Sequence, residues 1–249
     1  MIPIGDINPV RRFPYVNTAI IIVNTIIFFT LWIQGVKSLE QVIMFYGAIP
    51  YYILTGKKLW TLVTSMFLHA GPIHLIGNMI YLYIFGDNIE DYMGSKRYLL
   101  FYILAGLGAH LFHLLSVLII PANIRYYSYM YWGYDPLLIP AVGASGAISG
   151  VLGAYILLYP KAKVKVISLF WFLPVVILVP AWYFIGLWFL YQLVLGFWTL
   201  TGIPTGVAYW AHIGGFLTGM ALTPILGRRR DEYRLVTLLG GDYSLEWEY

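Results

Sequence analysis

Long apolar runs separated by short polar or aromatic stretches dominate this chain. Runs at about 14–34, 73–93, 98–119, 141–159, 179–200 and 206–226 are each long enough, at about 1.5 Å per helical residue, to cross most of a ~30 Å hydrocarbon core. The pattern predicts an all-α membrane protein, a bundle of six transmembrane helices. The run at 166–178 is also apolar, but Pro174 interrupts it and Pro180 follows closely. A spanning helix does not accommodate those prolines, so this run is expected to be a re-entrant or interfacial piece.

Two connecting stretches are too long for tight turns. The first, about 35–72, is rich in aromatic and apolar residues (Phe45, Tyr46, Tyr51, Tyr52, Trp60, Phe67), the composition of a loop lying in the membrane interface. The second, about 121–140, carries Tyr126, Tyr127, Tyr129, Tyr131, Trp132 and Tyr134, as an aromatic belt does. The organisation expected is an N-terminal segment over 1–13, a membrane domain over 14–227 and a polar tail over 228–249.

Composition agrees with this reading. The 249 residues are 60% hydrophobic and only 10% charged, against about a quarter charged in soluble domains. The net charge of +4 matters less than its placement. With the N-terminus inside, eleven of the fifteen Lys and Arg residues fall on cytoplasmic segments, among them Arg11, Arg12, Lys96, Arg97, Lys161, Lys163, Lys165 and Arg228–Arg230. Lys37, Lys57, Lys58 and Arg125 fall outside. The positive-inside rule therefore puts both termini in the cytoplasm and the protein in the cell membrane as a multi-pass chain. Nucleic acid is not an expected partner; membrane lipids are. The absence of cysteine excludes disulfides, thiolate metal sites and a cysteine nucleophile.

Candidate chemistry centres on residues 142–153, Val-Gly-Ala-Ser-Gly-Ala-Ile-Ser-Gly-Val-Leu-Gly. Gly146, Gly150 and Gly153 share one helical face, and Ser145 stands beside that seam at the start of the helix. Small-residue stripes in apolar helices ordinarily serve packing alone. A second stripe, His212, Gly215 and Gly219 on the sixth helix, changes the reading. Two glycine faces allow close backbone approach, which would bring the Ser145 hydroxyl within reach of the His212 ring as nucleophile and base. His74 and Asn78, four apart on the second helix, lie at the same depth, and with the Ser145 amide they could stabilise an oxyanion. No acidic residue is placed to orient His212, so a dyad is expected rather than a triad.

Other polar residues suggest less. His110 and His113, three apart, have no facing pair and are assigned to the interface rather than to a metal or haem. His69 and His74 lack the spacing and carboxylate partner of a helical zinc site. No metal or cofactor is expected. Ala147 stands where the lipase elbow G-x-S-x-G needs its second glycine, and the surroundings are helical membrane sequence, which excludes a soluble esterase.

Taken in order, Leu59-Trp60, then Phe67-Leu68-His69-Ala70-Gly71-Pro72-Ile73-His74 through Asn78, then Gly143-Ala144-Ser145-Gly146, then Ala211-His212-Ile213-Gly214-Gly215 resemble the rhomboid intramembrane serine proteases of prokaryotic type. The resemblance implies a six-helix core, Ser145 as nucleophile, His212 as base, and Asn78, His74 and the Ser145 amide around the oxyanion. It also implies a membrane-associated 35–72 loop and a fifth helix that, with the 200–207 loop, gates lateral access of substrate. Many members carry a tyrosine one turn after the nucleophile that stacks on the histidine; this chain has Ser149 there, so His212 is expected to be held by another aromatic or less firmly. The function expected is hydrolysis of peptide bonds in or near the transmembrane segments of membrane-protein substrates. The alternatives are a catalytically silent rhomboid-like protein that binds membrane helices, and a small transporter, which would carry polar groups through the whole membrane depth.

Overall fold

A computed structural model describes residues 2–227; the polar tail lies outside them. Each of the six apolar runs forms a helix: α1 (Tyr15–Ile33), α5 (Pro72–Met93), α6 (Ser95–Ile119), α8 (Ser145–Leu158), α9 (Ala181–Thr199) and α10 (Tyr209–Leu226). Among the described residues, α1, α6 and α9 are long and apolar enough to cross a membrane, and α8 is a shorter apolar helix of 14 residues. The long first connection folds into α2 (Val36–Tyr46), α3 (Pro50–Leu54), α4 (Thr61–Thr64) and a 3-10 turn at Ser65–Phe67, and the second contains α7 (Ala122–Trp132).

The architecture is not all-α. β1 (Ile2–Ile7), β2 (Lys163–Phe170) and β3 (Leu173–Pro180) form an antiparallel sheet in the order β1-β2-β3. The run at 166–178 is therefore most of a β-hairpin, and part of the N-terminal segment is its third strand. The cause is legible in Lys163-Val164-Lys165-Val166, whose two-residue alternation exposes the lysines and leaves both valines fully buried. Pro174 and Pro180, which break a helix, are tolerated in β3 because it is an edge strand.

α8 is the hub. Every residue from Gly146 to Tyr155 is buried, a helix apolar all round and enclosed by α5, α6, α9 and α10. Its glycine seam sets how closely α10 approaches. A Cβ placed on Gly215 would overlap the Gly146 carbonyl oxygen, one on Gly219 the Gly150 oxygen, and one on Gly153 the Phe216 oxygen. The third partner, α6, closes in through alanines: Cβ atoms built on Gly146 and Gly150 would lie 2.6 Å from Ala109 Cβ and 2.5 Å from Ala105 Cβ. Dispersion between tightly apposed helices replaces the hydrophobic drive that lipid cannot supply.

At the opposite end from Ser145, buried polar groups fasten the elements together. Glu90 on α5 accepts hydrogen bonds from the backbone N–H groups of Val16 (3.0 Å) and Asn17 (2.7 Å), the orphan donors at the start of α1. Asn17 donates to the Leu82 carbonyl at 2.9 Å and accepts from Tyr98 at 2.8 Å, joining α1, α5 and α6. β1 docks nearby: Tyr155 donates to Asp6 at 2.5 Å and the Asn88 amide donates to the Asn8 carbonyl at 2.9 Å.

Candidate active site

Ser145 begins α8, so its own amide and those of Gly146 and Ala147 lack intrahelical partners; Ile148 makes the first bond of the helix, to Ala144 at 2.9 Å. His212, in the first turn of α10, faces it across the glycine seam. The Ser145 hydroxyl and His212 Nε2 are 2.8 Å apart although 67 positions separate them in sequence. The contact expected from the two glycine faces is thus made.

His212 is held on its other side by a residue the sequence had not suggested. Gln192, buried on α9, accepts at Oε1 from Nδ1 of His212 at 2.8 Å, while its amide donates to the Trp188 carbonyl at 3.4 Å. A proton on Nδ1 leaves the Nε2 lone pair free to accept from Ser145. No carboxylate stands at the orienting position; an amide fills it. The signal available was a lone amide in an otherwise apolar and aromatic span, which in lipid is expensive enough to need a reason. Aromatic support comes from Trp188, whose ring lies 6.1 Å from that of His212 at a 32° tilt, and from Tyr209, edge-on at 6.3 Å. Ser149, at the position many family members give to tyrosine, turns away to donate to the Ser145 carbonyl at 2.6 Å.

His74 and Asn78 on α5 converge on the same place. A Cβ built on Gly143 would lie 2.7 Å from His74 Nε2 and 3.6 Å from Asn78 Nδ2, so both side chains point at the backbone two residues before Ser145. Gly143 has φ +123°, a conformation that together with this crowding restricts the position to glycine. Asn78 is 8% exposed, and its Nδ2 is buried with no hydrogen-bond partner. A buried donor without an acceptor costs about 1–3 kcal/mol, and strained or unsatisfied groups of this kind gather at functional sites. The Ala70 amide donates to His74 Nδ1 at 3.4 Å, leaving Nε2 directed at the hollow.

A buried clamp holds this loop. The Gly143 amide donates to the Ser65 carbonyl at 2.9 Å, and the Ser65 hydroxyl lies 3.0 Å from His110 Nε2. His110 is buried, and it links α6 to the 3-10 turn that positions the approach to Ser145. His69 in the preceding loop is 1% exposed, and burial, with His74 alongside at 5.1 Å between rings, pushes its imidazole down to about 3. Among the described residues no three His, Asp or Glu side chains cluster as a metal site would require.

A serine hydroxyl on an oriented imidazole, beside unengaged N–H donors at a helix start, is an arrangement able to attack a carbonyl. A family description, the rhomboid domain, matches residues 56–229, which takes in Ser145, His212, His74, Asn78 and Gln192. The chain belongs to the rhomboid family. It is 33% identical over 178 residues to RHOMBOID-like protein 6, mitochondrial, of Arabidopsis thaliana, covering 70% of this chain and 46% of that protein. It is 32% identical over 134 residues to Rhomboid protease GluP of Bacillus subtilis (strain 168), covering 54% and 22%, and 27% identical over 210 residues to Rhomboid protease AarA of Providencia stuartii, covering 82% and 69%. The chain therefore spans about half or less of the length of the first two relatives. Rhomboid relatives from plants and bacteria are matched alike, so the similarity does not single out a prokaryotic type. Family and apolar helices together make this an integral membrane protein.

Proposed function

We propose that this rhomboid is an intramembrane serine endopeptidase that cuts single-pass membrane proteins in or near their transmembrane segments. The observation that carries the proposal is the Ser145–His212 contact with Gln192 behind it. In acylation, His212 Nε2 takes the Ser145 proton as Oγ bonds to the substrate carbonyl carbon. The oxygen, now negative, accepts from the Ser145 amide and from the Asn78 and His74 side chains. Collapse breaks the C–N bond, and the imidazolium returns its proton to the leaving amine. Water then repeats the sequence on the ester, releasing the new carboxyl end and restoring Ser145.

Six helices span the membrane in this proposal, with both termini in the cytoplasm and the protein in the cell membrane. The size of α8 supports an active site below the surface. Fourteen residues cover only ~21 Å at the helical rise, so a helix whose C-terminal end meets the inner interface starts ~9 Å short of the outer one in a ~30 Å core. A helical substrate has its carbonyls hydrogen-bonded internally, so segments with helix-breaking residues near the outer surface are the substrates expected. The test is incubation of purified protein with a panel of transmembrane peptides, with mass spectrometry of the products. Cleavage by the native chain and none by Ser145→Ala is expected; equal cleavage by the variant would refute the mechanism. A silent helix-binding rhomboid would cut nothing while retaining its peptides.

A further inference from the structure

The hairpin of β2 and β3 lies at the end of α8 opposite Ser145 and leads directly into α9. Its root is packed: Val164 and Val166 are fully buried, and Val179, paired with Val164, rests on the same core. Beyond the root it projects. Val176 and Leu178 are 59% and 53% exposed, and Leu173, Val175 and Ile177 on the other face are also exposed, Leu173 at 68%. At the tip, Trp171 and Phe172 are 82% and 92% exposed. They form a two-residue turn with φ +47° and +71°, a conformation in which glycine and asparagine are the usual residues. Two bulky aromatics are held there in strained backbone and in the open.

Charge is distributed as unevenly. Between 136 and 227 the only Lys, Arg, Asp or Glu residues are Lys161, Lys163 and Lys165, all at the root. From Lys165 to the turn the hairpin runs uncharged for ~20 Å at the strand rise. A strand apolar on both faces would be an aggregation site in water.

The open edge of β3 narrows what can cover it. The pair flanking a two-residue turn, here Phe170 and Leu173, exchanges hydrogen bonds, and the pattern then alternates. The outward backbone positions of β3 are therefore 174, 176, 178 and 180. Prolines occupy the first and last of them, which removes two of the four outward N–H donors. That loss disfavours an added strand and lowers the cost of leaving the edge unpaired near lipid.

We infer that this hairpin is a lipid-binding finger: its uncharged blade and Trp171-Phe172 tip enter the interface of the leaflet opposite the active site, and Lys163 and Lys165 engage anionic headgroups at its root. Indole and phenyl rings suit the interfacial region, and lysines beside an apolar insertion suit an anionic surface. The finger would brace α8 and α9, the helices that carry Ser145 and Gln192, against the bilayer.

Because the chain has no cysteine, Phe172→Cys with a nitroxide label gives a single reporter on the full-length protein. The protein is reconstituted in phosphatidylcholine vesicles with or without phosphatidylglycerol. Collision with oxygen, which concentrates in lipid, is compared with collision with a water-soluble nickel chelate, using the exposed Lys96→Cys, at the junction of α5 and α6, as the aqueous reference. The oxygen-to-nickel ratio at 172 is expected to exceed the reference at least about threefold in the anionic vesicles. It should fall toward the reference when phosphatidylglycerol is omitted or when Lys163→Gln and Lys165→Gln are introduced. A ratio at 172 equal to the reference would overturn the inference, as would one indifferent to phosphatidylglycerol. Spin–spin broadening that disappears on dilution with unlabelled protein would assign the finger to a second copy of the chain instead. None of these readouts depends on proteolysis, so the Ser145→Ala protein serves equally well.

Discussion

Gly215→Ala tests how the active site is held together. The added Cβ would overlap the Gly146 carbonyl oxygen and lie 2.9 Å from its carbon. Both are backbone atoms, so no side chain can rotate away, and α10 must move from α8 by ~1 Å to restore ordinary contact. Ser145 immediately precedes Gly146, and His212 sits one turn before Gly215, so the same shift acts on their 2.8 Å contact. A separation near 3.8 Å is no longer a hydrogen bond. A 1 Å misplacement of reacting groups costs ~10²-fold in rate, or ~2.7 kcal/mol of barrier, and overpacking costs a further ~1–3 kcal/mol of stability. The assay is cleavage of a transmembrane peptide by the purified variant, read beside its thermal unfolding. Gly186→Ala on α9, whose Cβ meets nothing within 4 Å, is the control and should be neutral or slightly stabilising. If Gly215→Ala keeps more than about a third of native activity with unchanged unfolding, the close-approach reasoning is wrong.

Asn78→Ala should lower kcat by ~10²–10³ with little change in KM, as loss of an oxyanion donor does; steady-state cleavage kinetics check it. Gln192→Leu leaves His212 Nδ1 without its acceptor and should cost ~10-fold or more in kcat, with partial recovery in Gln192→Glu, which restores one. Asp6 gives a pH dependence: burial pushes its carboxyl up from 3.8 to about 6, against the opposing Tyr155 hydrogen bond and the Lys165 charge. Raised above its unfolded value, this group contributes stability that is complete below about pH 4 and is lost as the pH rises through about 6. Asp6→Asn, which still accepts from Tyr155, should remove that part of the slope when thermal unfolding is followed from pH 4 to 7.5.

Much of this architecture was written in the sequence, for reasons that also explain the gaps. Apolar runs mark α1, α5, α6, α8, α9 and α10, because few other structures bury so continuous a stretch. Glycines at fixed helical spacing brought Ser145 to His212, because a missing Cβ leaves only one kind of surface to pack against. Gln192 is not legible in the sequence because a single amide has no periodicity, and its meaning depends on which helix it faces. The sheet is hard to read from sequence because the prolines at 174 and 180 argue against a helix without arguing for a strand, while the alternation at 163–166 covers only four residues. The position of His110 along α6 does not reveal its partner, Ser65, which lies 45 residues away.

The central claim is that Ser145 is a nucleophile activated by His212. Its most direct measurement is reaction of the purified protein with a fluorophosphonate, followed by mass spectrometry of the modified peptide. The account predicts one adduct, on Ser145, that is lost in His212→Ala. An unmodified Ser145 in protein that still cleaves its substrate, or an adduct formed equally fast without His212, would contradict it.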